Sequence, residues 1–210
     1  MIADRYYYNK MSERDKDIYT ALYKGILELK PQVHIDGFVD IDSVGRIATA
    51  MTCDNPHLFY FKQTYIAVRS SATKSVILPQ YFYTQREIPA LNEQIEKAVN
   101  TILRQLKLDS VSNEYEKEML VHDLFADRLT YDHEALAAKN DPKRIVTAHS
   151  IIGVFLLKKA VCEGIAKATK ILLNAANMKC IVATGKGRSR MEHRQSQRQS
   201  IPPRCNVGHC

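Results

Sequence analysis

Apolar residues recur at helical spacing along most of this chain, interrupted by short stretches where aromatic and β-branched residues take over. Ile18, Leu22, Ile26 and Leu29 follow one another every three or four positions between Ser12 and Pro31. Asp15 stands three residues after Ser12 in the manner of a capping box, so the spacing predicts an amphipathic first helix. A second, shorter helix is expected from Ser43 to about Cys53, stopped by Asp54-Asn55-Pro56. Strands are expected over 57–61, 64–69 and 74–83. Helical spacing returns with Ile88, Leu91, Ile95, Val99, Ile102 and Leu106, and after Asp109-Ser110 with Val121, Leu124, Phe125 and Leu129. The loop signal Asn140-Asp141-Pro142-Lys143 precedes two more expected helices, at about 148–157 and 162–176. Cys180-Ile181-Val182-Ala183-Thr184 then reads as a short buried strand.

Beyond Gly185 the pattern changes. Arg194, Gln195, Ser196, Gln197, Arg198, Gln199 and Ser200 show neither a helical nor a strand period, which predicts a disordered tail. The expected organisation is a mixed α/β region over 1–110, a core over 111–188 and a tail over 189–210, with no internal repeat.

Composition narrows the class. The chain has 210 residues, 45% apolar and 25% charged, with 8 Gly and 7 Pro, as in an ordinary globular protein. A chain of this length buries enough surface to fold without a metal or disulfide staple. No stretch reaches the roughly 18 apolar residues of a membrane helix. The start Met1-Ile2-Ala3-Asp4-Arg5-Tyr6 lacks the pattern of a secretory signal, so a cytoplasmic product is expected. Five irregularly spaced cysteines (Cys53, Cys162, Cys180, Cys205, Cys210) fit a reducing compartment better than a disulfide framework. The net charge is +7, but six of the 30 basic residues against one of the 23 acidic ones lie from Lys186 onward. The remaining 24 basic and 22 acidic residues leave the body nearly neutral. An Arg-rich tail without interleaved aromatics does not point to nucleic acid, and no membrane partner is expected. Cys205, His209 and Cys210 with His193 lack paired Cys-x-x-Cys spacing, so neither a metal nor another cofactor is expected.

The run Ala160-Val161-Cys162-Glu163-Gly164-Ile165-Ala166-Lys167-Ala168 is the most informative. Its small residues permit close packing, and its cysteine opens an expected helix. Unpaired N–H groups and the helix dipole at such a position stabilise a thiolate, lowering a thiol pKa from about 8.5 to about 3.5–7.5 in favourable sites. An isolated helical cysteine would otherwise be a buried structural residue, and the surrounding sequence decides between the two.

Val121-His122-Asp123, Tyr131-Asp132, His149-Ser150 with Gly153, and Val161-Cys162-Glu163-Gly164 with Ala166 and Ala168, followed by the strand 180–184 and Gly185, resemble the transglutaminase-like superfamily over about 115–185. A weaker resemblance covers 6–110, from Tyr6-Tyr7-Tyr8 through Asp54-Asn55-Pro56-His57-Leu58-Phe59-Tyr60, to the amino-terminal region of some bacterial members. The resemblance implies an α+β protein whose papain-like or transglutaminase-like core sets a nucleophile helix on an antiparallel sheet, that sheet being largely missing here. It makes Cys162 the catalytic nucleophile of an acyl transfer from a glutamine or other amide of a protein or peptide. His149 is expected to support the oxyanion site or the helix terminus, and His122 and Asp123 to hold the fold. The Tyr cluster 6–8 is expected in a core or interface.

Members of the family continue with His-Ala-Trp-Asn and Tyr-x-x-Asp-x-Thr-Trp-Asp stretches carrying the base and its orienting carboxylate. Neither is encoded here, and the histidines after Cys162 are His193 and His209. The genetic code offers a reason. Ser189 to His193 can be written TCA CGC ATG GAA CAT, which one nucleotide forward reads CAC GCA TGG AAC, or His-Ala-Trp-Asn. Permitted codons through Cys210 extend the shifted reading to HAWNIVKVNGKAYHLDVTWDI, with both motifs and an Asn-Gly hairpin signal. Residues from about 189 are therefore expected to be out of frame. The encoded chain is expected to be inactive or nearly so, or else a non-catalytic binding protein on the same fold.

Overall fold

The computed structural model describes residues 5–63, 66–138, 141–185 and 188–193. They form two compact units, 5–89 and the described residues from Ala90 onward. The division falls where helix α4 (Glu87–Leu106) begins. Thr84 and Glu87 cap that start reciprocally, the Thr84 N–H donating to Glu87 Oε2 at 2.7 Å.

In the unit ending at Pro89, α1 (Tyr6–Asn9) is followed by α2 (Glu13–Leu27), whose Ser12 cap accepts the Asp15 N–H. Ile18, Leu22 and Ile26 are buried as their spacing requires. Helix α3 (Ile41–Asp54) starts two residues before the expected Ser43, because Asp40 caps it by accepting from the Ser43 N–H. A three-stranded antiparallel sheet has the order β1-β3-β2, from β1 (Val33–Asp36), β2 (Ala67–Ser70) and β3 (Lys74–Leu78). Helix α2 packs on α3 and β1. Strand β1 was not expected; its signal is the brief alternation of buried Val33 and Ile35 with exposed His34 and Asp36. The expected strand 57–61 does not form. Leu58, Phe59, Tyr60 and Phe61 are all buried, a pattern no one-sided strand produces, and the Leu58 and Phe61 N–H groups donate to Asn55 O and Leu58 O in successive turns. Phe61 alone of these bridges to Tyr81. Within the stretch expected as 64–69, strand structure begins at Ala67, and residues 64–65 lie outside the described ones.

The amino-terminal tyrosines are tied to this unit by a buried carboxylate. Asp54, at the end of α3, accepts from the Tyr7 and Tyr8 N–H groups at 3.1 and 2.9 Å. It thereby serves as the acceptor for the first turn of α1, whose own Arg5 cap supplies no side-chain bond. The Tyr19 ring packs at a tilt of 60° against Tyr8 with centroids 5.1 Å apart, and its hydroxyl accepts from Asn55 Nδ2 at 2.6 Å.

The unit from Ala90 contains most of α4, then α5 (Glu114–Arg128), β4 (Thr130–Tyr131), α6 (His133–Ala137), α7 (Pro142–Ala148), β5 (Lys159–Ala160), α8 (Cys162–Ala175), β6 (Cys180–Gly185) and β7 (Arg188–His193). Strands β4 and β5 pair in parallel through two residues each. The helix expected at 148–157 is divided differently. Asp141 caps α7 and Pro142 occupies its first turn, which starts that helix early; it ends at Ala148, with His149 as its C-cap. The chain then enters a π-helical turn, Gly153–Leu157, closed by Lys158 in the left-handed region at φ 56°. Helix α8 packs on α5, β6 and β7.

Strand β7 departs from the expected disordered tail: Arg188–His193 pair antiparallel with β6, from Gly185 opposite Arg188 to Cys180 opposite His193. The open edge of an apolar strand presents unpaired N–H and C=O groups that any backbone can satisfy, whatever its side-chain pattern. The rest of the expected tail, 194–210, lies outside the described residues. The whole is a mixed α/β arrangement of helices with small sheets, and among the described residues no helix is long and apolar enough to cross a membrane.

Candidate active site around Cys162

Helix α8 is held by the apolar side chains of its buried face. Ala166, Ala168, Leu172 and Leu173 are all at most 3% exposed. Each leucine contributes about 1.5–3 kcal/mol by leaving water. Its start is fixed by backbone rather than by a side-chain cap. Val161, in extended conformation, precedes the first turn, makes no side-chain capping bond, and donates its N–H to Ala148 O at 3.0 Å. Gly164 makes this approach possible. A Cβ there would stand inside contact distance of Ala148 O and 2.9 Å from Ser150 O. Gly153 admits the same loop from the other side: a Cβ on it would meet Lys159 O at 2.7 Å and Thr147 O at 2.8 Å. Cys162 is the first residue of the helix and is half-buried, whereas Cys53 and Cys180 are buried.

Both neighbours of Cys162 bind the 148–149 segment, Val161 through its N–H and Glu163 through its carboxylate, whose Oε2 lies 2.9 Å from His149 Nδ1. Glu163 Oε1 accepts from Lys167 Nζ at 2.6 Å, one helical turn along the same face. Burial pushes the Glu163 pKa up. The His149 hydrogen bond, the Lys167 charge and hydrogen bond, and the His149 charge outweigh it and hold the group down to about 2. Glu163 and Lys167 were not singled out from sequence, although their i,i+4 spacing carries that signal.

The upstream pairs divide. His122 and Asp123 are exposed on α5 and bond each other at 3.1 Å, so they do not hold the fold as expected; their neighbour Val121, fully buried, does. Tyr131 and Asp132 are structural. Tyr131 packs on the buried cluster of Ala135, Ala148 and Val161. Asp132, 5% exposed, accepts the Ala135 N–H at 3.0 Å to cap α6. Its N–H donates to Ala160 O at 3.0 Å. Arg144 and Lys159 each pair with Asp132 and with Glu134. Burial raises the Asp132 pKa, but the Ala135 N–H, the Arg144 bond and the two cations overcome this and lower it. A cavity of about 400 Å³ lies over this cluster, lined by Asp132, Arg144, Thr147, Ala148, Leu157 and Lys159 among others. Cys162 is not part of its lining.

Among the described residues no group of three or more His, Cys, Asp or Glu side chains is placed to hold a metal. Cys205, His209 and Cys210 lie outside the described residues.

The Glu163 carboxylate makes stability depend on pH with a definite sign. Its folded pKa lies below the ordinary value of 4.5, so its contribution is complete above about pH 5 and is lost as pH falls toward about 2. The contribution is on the order of 3 kcal/mol as an upper limit. Glu163→Gln is expected to be less stable near neutrality and to show a flatter stability profile across that range in urea denaturation. Parallel profiles for the two proteins would contradict this assignment.

No family model matches this chain, and no curated protein matches it. A solved crystal structure described as that of a TGase is similar to it at 12% identity and a TM-score of 0.41, over 84% of this chain and 54% of that one. The chain thus spans about half the length of that solved chain.

Proposed function

We propose that this chain is a transglutaminase-like thiol acyl-transfer protein with Cys162 as its nucleophile, strongly slowed because the encoded frame omits the family's His and Asp. The observation that carries this reading is the placement of Cys162 at the head of α8, half-buried, with both of its neighbours bound to the 148–149 segment. The sequence motifs around it supply the family. In the reaction, Cys162 Sγ attacks the carbonyl carbon of a glutamine carboxamide or other amide of a protein or peptide. The C–N bond breaks, ammonia or an amine leaves with a proton, and a thioester forms. Water or a second amine then attacks the thioester, giving acid or new amide and returning the thiol. Absence of the general base costs about 10²–10⁴ in rate, mostly where the amine must leave protonated.

A non-catalytic binding role is the second reading. The fixed negative charge of Glu163 beside Cys162 and its hold on His149 favour it.

An activated acyl ester separates the two, because its leaving group needs no proton. Under the catalytic reading, p-nitrophenyl acetate acylates Cys162 in a burst, located by peptide mass spectrometry. A glutamine peptide with hydroxylamine turns over at least about 100-fold more slowly. Acylation of Cys162 no faster than of an unfolded control would leave the binding role.

The frame reading belongs to the same proposal and has its own check. The shifted His codon spans Ser189 and Arg190. The nucleotide sequence of codons 186 to 210 should spell His-Ala-Trp-Asn one nucleotide forward. Codons that do not spell it would remove the frameshift from the account.

A further inference from the structure

The cavity over Asp132 has no part in the chemistry proposed for Cys162. Its volume of about 400 Å³ lies within the range of small-molecule sites. Lys143 and Arg144 of α7 and Lys159 of β5 line it, together with the carboxylates of Asp132 and Asp141. Both carboxylates are committed to main chain. Asp132 accepts the Ala135 N–H at 3.0 Å and Asp141 the Arg144 N–H at 2.9 Å, capping α6 and α7. Three cations against these two fixed carboxylates leave the lining with one positive charge in excess.

That excess already has a counter-ion, supplied by a residue outside the lining. Glu134 Oε2 lies 3.2 Å from Lys159 Nζ and also accepts from Arg144 Nη2. The Arg144 and Lys159 hydrogen bonds, helped by the two charges, hold the Glu134 carboxyl below its usual range, so this pair of donors is arranged to stabilise a carboxylate. Glu134 keeps 70% of its side chain in water, where ion pairs contribute little, so giving it up costs the fold little. Arg144 and Lys159 retain Asp132 in either case.

The remaining lining suits a hydrocarbon group. Leu157 is 59% exposed and gains by being covered. Thr147 spends its hydroxyl on Lys143 O at 2.7 Å. Ala148 is held through its carbonyl by the Val161 N–H, the bond that also sets the head of α8.

We propose that this cavity binds a small monocarboxylate with an apolar body, the carboxylate meeting Arg144 and Lys159 in place of Glu134 and the body covering Leu157. The single excess charge matches a monoanion. A dianionic phosphate would set its second charge beside the fixed Asp132 carboxylate. The site goes beyond the reading of Cys162 and holds whether or not that residue is catalytic.

Hexanoate is the probe, titrated into the ¹⁵N-labelled full chain and followed by amide chemical shifts, with acetate, hexanol and inorganic phosphate as comparisons. Wild type is expected to bind hexanoate with a dissociation constant of about 1 mM, with shifts centred on Thr147, Leu157 and Lys159. Acetate, hexanol and phosphate are expected to bind at least about tenfold more weakly, since each lacks the apolar body, the charge or the charge match. Glu134→Gln is expected to bind hexanoate about fivefold more tightly, because the internal competitor loses its charge. A gain of affinity is a result that damage to the fold does not produce. Lys159→Met, verified as folded by circular dichroism, is expected to bind about tenfold more weakly. Unchanged affinity in Glu134→Gln, or hexanol binding as well as hexanoate, would overturn the proposal. So would the absence of saturable shifts at these amides in both wild type and Glu134→Gln. Phosphate binding more tightly than hexanoate would overturn it in favour of a phosphate site.

Discussion

Everything proposed for this protein depends on one steric fact: the backbone of residues 148–150 lies directly against the first turn of α8, with no room for a side chain at Gly164. Because Ala148 O takes the Val161 N–H, the helix begins where that bond ends, and Cys162 becomes its first residue. The same approach carries His149 to Glu163. A methyl group at position 164 would push the loop away by more than side-chain adjustment can absorb, since the atoms it meets are backbone carbonyls. Gly153 and the π-helical turn accommodate the loop on its far side, so the small residues of the motif are spacing devices. The position of Cys162 is thereby set by main chain, which is stiffer than a capping side chain.

Two carboxylates divide the work around this corner. Asp132 and Glu163 are each more than two-thirds buried at the side chain and each held ionised against its burial, Asp132 by Arg144 and Lys159, Glu163 by Lys167 and the His149 imidazole. Asp132 joins α6, α7 and β5 into a scaffold. Glu163 does the same between α7 and α8, and it also fixes an imidazole. A buried charge of this kind is costly unless fully partnered, so both clusters keep the surrounding backbone in one arrangement.

Much of this was legible in the sequence. The helical periods of Ile18–Leu22–Ile26 and Ile88–Ile95–Val99–Ile102 mark real buried faces, because period alone determines which side of a helix meets the core. The position of Cys162 at a helix start and the short strand after it were also readable. What failed depended on contacts distant in sequence. The buried aromatic run 58–61 resembled a strand because hydrophobicity does not say whether a segment is covered on one side or two. His122 and Asp123, adjacent in a helix, were given a supporting role that Tyr131 and Asp132 perform instead. Strand β7 has no period of its own and exists through the edge of β6. Glu163 could have been picked out by its spacing to Lys167, but its bond to His149 joins residues separated by the whole turn between α7 and α8.

The most direct measurement of the central claim is native-state hydrogen exchange at the Val161 amide. If its bond to Ala148 O holds the head of α8 in place, this amide exchanges only when the whole unit opens, with the same free energy as the amides around buried Leu172. Exchange within seconds, while the Leu172 region stays protected, would show that the loop and the helix head part freely. The site described around Cys162 would then not be a fixed one.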